Sequence, residues 1–235
     1  MFTRKIVAHI GAMCVAATMG AATVNAQQLE GPYACHDLEF AAVSPADPLG
    51  TLTQGRSGYF FRTDPDLNWG FFLSEEVGRL LRDFNSELEQ RGTKLVLLPV
   101  PPRGLIAQNF VDFNKDRSPV LNVSEGGWMF DNYIRELNNS GATVVNLMKA
   151  LRTDPSQAPL FYFKRDTHWR PEGSRFAAQM VADQLRQSGM LRGLPASGFQ
   201  TSAIGEASVK GDIAVASQKN CSANLPGEAY TEFGT

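Results

Sequence analysis

Apolar positions along the chain follow two patterns in turn, and these predict alternating helices and strands. From Ser74 to Gly92 they recur every three or four residues, which indicates a helix with one apolar face. Ser74 is a typical N-cap residue, and the two glutamates after it suit a first turn. The apolar run within residues 94–100 predicts a buried parallel strand, ended by the prolines that follow. The helical stripe predicted to face the core consists of Val77, Leu80, Leu81, Phe84 and Leu88.

The same alternation continues to Gly189. Helices are predicted at 128–137, at 147–151 and from Pro171 onward, where proline suits the first turn. Strands are predicted at 142–146 and 160–163, and a glycine-opened aromatic strand at 55–62. The predicted inward residues of the two longer helices are Met129, Ile134, Leu137, Phe176, Met180, Val181 and Leu185.

This order of elements predicts an α/β fold with a mostly parallel sheet. The tail after Arg192 is rich in glycine, serine and alanine, and it contains no long periodic segment. We therefore predict no long helix or strand there.

The N-terminal residues have the pattern of a secretory signal. Arg4 and Lys5 precede an apolar stretch over 6–22, and small residues up to Ala26 offer a cleavage point. Polar residues follow at once, so the stretch is short for a membrane span. We predict a signal peptide at 1–26 and a mature domain at 27–235, with a permanent N-terminal anchor as the alternative.

Charge and cysteine content agree with an exported, mildly acidic protein. The formal net charge is −2, and loss of Arg4 and Lys5 would make it −4. No basic stripe is present, so nucleic acid is not a predicted partner. Cys14 lies in the predicted signal peptide, so the exported domain would keep two cysteines, Cys35 and Cys221, in an oxidising compartment. A bridge between them would stabilise the fold by about 4–5 kcal/mol. Two free buried thiols are the alternative.

Asp166 and His168 are the candidate catalytic residues. They follow the strand predicted at 160–163, and functional groups of open α/β sheets gather at such strand ends. Apart from His168, only His36 lies beyond the predicted signal. A neutral imidazole takes a proton near pH 7, and a carboxylate on its other nitrogen fixes the tautomer. A spacing of two in extended backbone directs both side chains to one face.

Two other interpretations of this pair stay open. The histidine could be satisfied by its own loop, with Asp166 as a turn or cap residue. A metal site is a weaker alternative, because Asp-x-His supplies only two ligands and no cysteine cluster accompanies it.

Taken in order, several segments resemble the N-terminal half of alginate O-acetyltransferases of the AlgX/AlgJ family, which have an SGNH-hydrolase-like domain. The Asp-Thr-His-Trp segment is the specific part. The Cys35…Cys221 spacing and the Pro-Pro-Arg-Gly loop are more similar to the AlgX branch. The segments are Gly55–Phe61, Lys94–Gly104, Asp166–Gly173 and the cysteine pair.

The resemblance implies a periplasmic enzyme whose reaction uses no cofactor. His168 would be the general base and Asp166 its orienting carboxylate. A serine would accept an acetyl group from a donor and pass it to mannuronate hydroxyls of the polymer. Implied partners are the acidic polysaccharide alginate, or polymannuronate, and other periplasmic or membrane proteins of alginate biosynthesis.

The chain departs from the family pattern at the nucleophile, which in the family follows the Asp-x-His motif. Gly211-Asp212-Ile213 has isoleucine where a Gly-Asp-Ser motif would carry serine. Ser57 precedes a predicted hairpin, and Ser174 lies inside a predicted helix, where its hydroxyl tends to bond backbone. We therefore expect the nucleophile segment and the carbohydrate-binding domain to be absent from this chain. The fold would then be incomplete at its C-terminus, and the chain inactive alone.

Arg103, Trp169 and Arg170 are the predicted substrate-binding residues, with Arg165 as a further candidate. Arginine pairs with uronate carboxylates in fork geometry, and aromatic faces suit sugars. The alternative is that Trp169 packs under the helix and the arginines are solvated. A non-catalytic polysaccharide-binding or scaffold protein is the alternative function, and the sequence does not separate acetyl transfer from hydrolysis of acetyl esters.

Overall fold

The computed structural model describes residue 35 and residues 51–68, 70–112, 123–195 and 200–234. The predicted signal peptide and His36 lie outside these residues. Within them no helix combines the length and the apolar character needed to cross a bilayer. The α-helices are α1 (Thr63–Leu67), α2 (Glu75–Gln90), α3 (Arg103–Ile106), α4 (Val123–Asn138), α5 (Leu147–Thr153), α6 (Ala158–Phe161), α7 (Pro171–Gln187) and α8 (Asp212–Ser217).

The strands of the described residues form three two-stranded sheets. The strands are β1 (Leu52–Gln54), β2 (Phe60–Arg62), β3 (Val96–Leu97), β4 (Thr143–Val144), β5 (Ser202–Val209) and β6 (Glu228–Gly234). Strands β3 and β4 are parallel, with Val96 opposite Thr143, whereas β1 with β2 and β5 with β6 are antiparallel. The parallel pair contains two of the predicted strands, shortened to two residues each. A mostly parallel sheet is therefore not found among the described residues.

Helix α2 begins where its sequence predicts, but its apolar stripe is only partly buried. The Ser74 hydroxyl accepts the Val77 N–H at 3.2 Å, as expected of an N-cap. Val77, Leu80 and Phe84 are nevertheless about half exposed. The helix turns Gly78 and Asn85 toward the interior instead, so the stripe lies at the border of the buried face.

The strand predicted at 160–163 is wrong, because residues 158–161 form helix α6. The Asp154 side chain accepts the Ser156 N–H and starts a 3-10 turn at Pro155, from which α6 continues. The chain becomes extended only at Tyr162, which pairs with Trp169 in an isolated antiparallel bridge. The aromatic run thus closes a loop instead of joining a sheet.

The tail after Arg192 also departs from its prediction, because it contains the longest strands described. β5 and β6 pair over their whole length, and α8 lies between them in the chain. Nearly every residue of β5 is exposed, so no alternation of apolar and polar positions marks it in the sequence.

The main core lies between α4, α5, α6 and α7 and the parallel strand pair. Its fully buried residues include Phe130, Leu147 and Phe161. Ile134 and Leu137 are buried as predicted, and Phe176, Met180 and Val181 of α7 pack against the same cluster. Gly173 allows α7 to approach α6 closely, since a Cβ there would lie 2.3 Å from the Phe161 carbonyl oxygen.

Cys35 and Cys221 form the predicted disulfide, with a sequence separation of 186 residues. Both cysteines pack against a second buried cluster that includes Phe60, Ile213 and Leu225. The bridge therefore joins the start of the described chain to the segment that follows α8.

Candidate active site

Asp166 and His168 lie in a closed loop between α6 and α7. The bridge between Tyr162 and Trp169 closes the loop, and the Arg170 N–H donates to the Phe161 carbonyl at 3.0 Å. The loop thus presents three consecutive residues, Asp-Thr-His, immediately before the first turn of α7.

The Asp166 carboxylate orients the His168 imidazole. Asp166 Oδ1 lies 2.7 Å from Nδ1 of the ring and also accepts the His168 backbone N–H at 2.7 Å. The carboxylate is 10% exposed, whereas the His168 side chain is 79% exposed. A proton on Nδ1 is held by the carboxylate, so Nε2 of the neutral ring is free to accept a proton from a hydroxyl.

Hydrogen bonds keep Asp166 ionised in this partly buried place. Burial acts to raise its pKa, but the backbone N–H of His168, the imidazole and the Asp212 N–H outweigh it, so the pKa lies below its usual range. The carboxylate is therefore charged wherever a histidine base would function.

This lowered pKa predicts an acid-sensitive contribution to stability. A depressed carboxyl pKa stabilises the fold above the unfolded value of about 3.9, and this stability is lost as pH falls through the folded value. We expect Asp166→Asn to lower the free energy of unfolding by about 1 kcal/mol at pH 7, and by less at pH 3.5. Urea unfolding at both pH values measures the difference. A penalty that does not shrink toward acid would contradict the prediction, and Asp83→Asn on the exposed face of α2 is the control.

Asp212 at the start of α8 also contacts this loop. Its backbone N–H donates to Asp166 Oδ2 at 3.0 Å, and its carboxylate accepts the Thr167 N–H at 2.9 Å and the Thr167 hydroxyl at 2.5 Å. The sequence pointed to Asp212 only as the middle of a motif without serine. A Gly-Asp pair ahead of a helix was the signal available, but its contact with residue 166 depends on the tertiary fold.

Glu228 of β6 is a second residue that the sequence did not reveal. Its buried carboxylate accepts the N–H groups of Lys164 and Arg165, each at 2.7 Å. These hydrogen bonds fix the start of the Asp-Thr-His loop to the β5–β6 sheet. Glu172 adds another link, because it accepts the Thr231 N–H at 3.0 Å and pairs with Arg170 at 3.1 Å.

The predicted substrate-binding residues have internal partners. Arg103 is 2% exposed, and its guanidinium donates to carbonyl oxygens and to Asp66. Trp169 is half-buried, and the centroid of its ring lies 5.3 Å from the centroid of the Phe161 ring. Arg170 bonds Glu172 and the Ala229 carbonyl and lies over the Phe163 ring. Arg165, the further candidate, is buried beside Glu228. These contacts hold the four side chains against the protein, and Arg103 and Arg165 are buried. Substrate binding by Trp169 and Arg170 stays a prediction.

Asp166, His168 and Asp212 are also close enough to hold a metal ion, since their ligand atoms lie within 4.8 Å of one another. Their oxygens, however, already accept hydrogen bonds from neighbouring backbone and hydroxyl groups. These donors already occupy part of the lone-pair capacity of the two carboxylates, and a proton on Nδ1 of His168 keeps that nitrogen from ligating, so the arrangement suits proton transfer better than metal binding.

Among the described residues no serine hydroxyl is hydrogen-bonded to His168. Ile213, at the position where a Gly-Asp-Ser motif would carry serine, is fully buried. Ser57 lies in a 3-10 turn, and its carbonyl accepts from Lys164 Nζ. Ser174 is exposed on α7. The Thr167 hydroxyl lies 3.5 Å from Nδ1, which is the nitrogen that faces Asp166.

The family model for the SGNH hydrolase-like domain of the acetyltransferase AlgX matches residues 38–234. The alginate biosynthesis protein AlgX of Pseudomonas aeruginosa is 30% identical over 192 residues, which are 78% of this chain and 38% of that protein. A probable alginate O-acetylase AlgJ of Pseudomonas syringae is 30% identical over 134 residues, or 57% of this chain and 32% of that protein.

Solved structures agree on the fold. The structure of Pseudomonas aeruginosa AlgX superposes with a TM-score of 0.65 at 24% identity, over 79% of this chain and 44% of that one. The O-acetyltransferase domain of Pseudomonas putida AlgJ gives 0.58 at 19% identity, over 78% and 64%. The chain spans less than half the length of the AlgX relatives it matches. The SGNH-hydrolase-like fold predicted from the sequence is confirmed, and the chain belongs to the family of SGNH hydrolase-like domains represented by the acetyltransferase AlgX.

Proposed function

We propose that this chain supplies the acid–base half of a periplasmic alginate O-acetyltransferase. The observation that carries the proposal is the 2.7 Å contact between Asp166 Oδ1 and Nδ1 of an exposed His168. This contact occupies Nδ1, and the exposed Nε2 can therefore accept a proton from a hydroxyl that approaches the ring from solvent. Membership of the AlgX family and the names of its alginate-related relatives support the choice of substrate.

In the proposed reaction His168 Nε2 takes the proton of a serine hydroxyl as its oxygen bonds the acetyl carbonyl carbon of the donor. The bond to the donor's leaving group then breaks, and the imidazolium returns the proton to that group. In the second half a mannuronate hydroxyl gives its proton to Nε2 as its oxygen bonds the acetyl carbonyl carbon. The acetyl–serine bond then breaks, and the imidazolium returns the proton to the serine oxygen. Asp166 stabilises the imidazolium in both halves. The serine would come from a segment outside the described residues.

Export to the periplasm is part of this proposal. The sequence pattern of residues 1–26 and the disulfide between Cys35 and Cys221 support it, because structural disulfides persist in oxidising compartments. Water in place of the sugar hydroxyl would make the same site an acetyl esterase.

The test joins this chain to the part of Pseudomonas aeruginosa AlgX that follows the matched region. We expect the fusion to hydrolyse a small chromogenic acetyl ester, and His168→Ala to slow it by about 10²-fold or more, since a general base contributes that much. The exposed Arg79→Ala is the matched control, and circular dichroism verifies that each variant folds. An active fusion that keeps its rate after His168→Ala would contradict the proposed role.

A polysaccharide-binding role is the second candidate function. It is favoured by a groove between α7 and the β5–β6 sheet. The groove has a volume of about 990 Å³, and Arg175, Gln179 and Tyr230 are among its lining residues. Binding alone predicts that the chain retains polymannuronate, that His168→Ala leaves retention unchanged, and that the folded fusion shows no acetyl turnover.

A further inference from the structure

We propose that Asp212 is a positioning residue for the Asp166–His168 pair, holding the carboxylate through its backbone and the intervening Thr167 through its side chain. The meaning of this role for catalysis rests on the proposed function. The contacts themselves belong to the described structure and can be tested without turnover.

The first contact fixes which oxygen of Asp166 faces the imidazole. The Asp212 N–H donates to Oδ2 at 3.0 Å, while Oδ1 accepts both the backbone N–H and Nδ1 of His168. Since each carboxylate oxygen has its own donors, rotation of the carboxylate would break bonds on both sides. Asp212 thereby selects the orientation in which the ring keeps its proton on Nδ1.

The second contact fixes the residue between the pair. Asp212 Oδ1 accepts the Thr167 N–H at 2.9 Å, and Oδ2 accepts the Thr167 hydroxyl at 2.5 Å. Oδ1 also accepts the Ile213 N–H at 2.7 Å, so the side chain is itself held in place. Asp212 therefore holds both the Asp166 carboxylate and the Thr167 backbone of the Asp-Thr-His loop.

Gly211 makes this approach possible. A Cβ at position 211 would lie 2.3 Å from the Arg165 carbonyl oxygen and 2.5 Å from Asp166 Cβ, so a larger residue would push α8 away from the loop. The Ala214 N–H donates to the same Arg165 carbonyl at 2.9 Å. Ile213 and Ala214 are fully buried, which makes the start of α8 a firm support.

Asp212 also places a second negative charge near the ring. Its Oδ2 lies 4.0 Å from His168 Nδ1, and Asp166 and Asp212 are the carboxylates that face the imidazole in the described structure. In the proposed reaction the His168 ring carries a positive charge when it holds the transferred proton, and a carboxylate at this distance attracts that charge. Positioning and charge thus act in the same direction.

The experiment measures the imidazole tautomer and amide protection in the full chain. The ¹⁵N chemical shifts of the neutral His168 ring should report mainly the Nδ1–H form. We expect Asp212→Ala to raise the share of the Nε2–H form and to speed exchange of the Thr167 amide about tenfold, since a hydrogen bond to a charged group is lost. Asp212→Asn should keep the tautomer and the protection, because its amide oxygen still accepts the Thr167 N–H.

Asp83→Ala, which removes an exposed aspartate of α2, is the matched control. Thr167→Val provides a second route that leaves Asp212 in place, and we expect it to raise the Nε2–H share by a smaller amount. Neither variant removes the Asp212 backbone N–H that donates to Asp166 Oδ2, so wild-type tautomer populations in both would overturn the positioning role of the Asp212 side chain. That result would leave the proposed function standing, whereas an active fusion unaffected by His168→Ala would remove the proposed function and leave the positioning contacts unchanged.

Discussion

Replacement of Arg103 by alanine is expected to lower the free energy of unfolding by about 3–5 kcal/mol, because it breaks a buried charge network. The guanidinium donates to Asp66 Oδ2 and to the Phe60 carbonyl, both at 3.0 Å. It also donates to the Phe163 and Lys164 carbonyls at 2.8 and 3.1 Å. The loss would remove one donor from each of these buried acceptors and loosen the segment that leads to Asp166. Urea unfolding measures the change.

Two further arginine variants make this result specific. Arg79→Ala removes an exposed arginine whose ion pair with Asp83 should contribute about 0–1 kcal/mol. Arg103→Lys keeps the charge but lacks the planar fork that reaches four acceptors, so an intermediate loss is expected. A cost for Arg103→Ala within about 1 kcal/mol of the Arg79→Ala cost would show that the network contributes little.

Features that depend on neighbouring residues were predicted well from the sequence. Ser74 caps α2, Pro171 opens α7, and Asp166 and His168 meet through a two-residue spacing. In each case the interacting groups lie within four residues of one another. The chain has few alternatives at such short range, so residue type and spacing are enough.

Features that depend on distant residues were missed or misplaced. Arg103 was predicted to bind substrate from a loop, and its buried partners lie 37 to 61 residues away in the sequence. Asp212 joins Asp166 across 46 residues, and Glu228 joins Arg165 across 63. The sequence pattern carries no information on these pairings. A buried arginine or glutamate is rare unless paired, so the pairing itself must be known before such a residue can be assigned.

The prediction of secondary structure was wrong in two segments, where burial and local backbone preference point to different elements. The run from Leu160 to Phe163 is typical of a strand, yet Asp154 and Pro155 begin a helical turn that continues through Phe161. Strand β5 has the opposite problem, since most of its residues are small and exposed and its pairing with β6 is made through the backbone. Hydrophobic periodicity reports burial and not backbone pairing. Residues 161–163 are buried although they do not form a strand, and β5 is exposed although it does.

Removal of the disulfide is the second large effect that we expect. Simultaneous Cys35→Ala and Cys221→Ala should lower the free energy of unfolding by about 4–5 kcal/mol, because the bridge closes a very long loop in the unfolded chain. The two cysteines also pack beside Ile213, so loss of the bridge should loosen α8, which carries Asp212. Urea unfolding of the oxidised protein and of the double variant measures the difference.

Reduction separates the covalent bond from the packing of the two side chains. A thiol reductant should destabilise the wild-type protein by nearly the same amount and should leave the double variant unchanged. If α8 depends on the bridge, exchange of the Thr167 amide should also accelerate in the reduced protein, since its acceptor is on α8. Equal soluble yields and equal unfolding free energies with and without the bridge would mean that the buried cluster of Leu52, Phe60 and Ile213 holds α8 in place by itself.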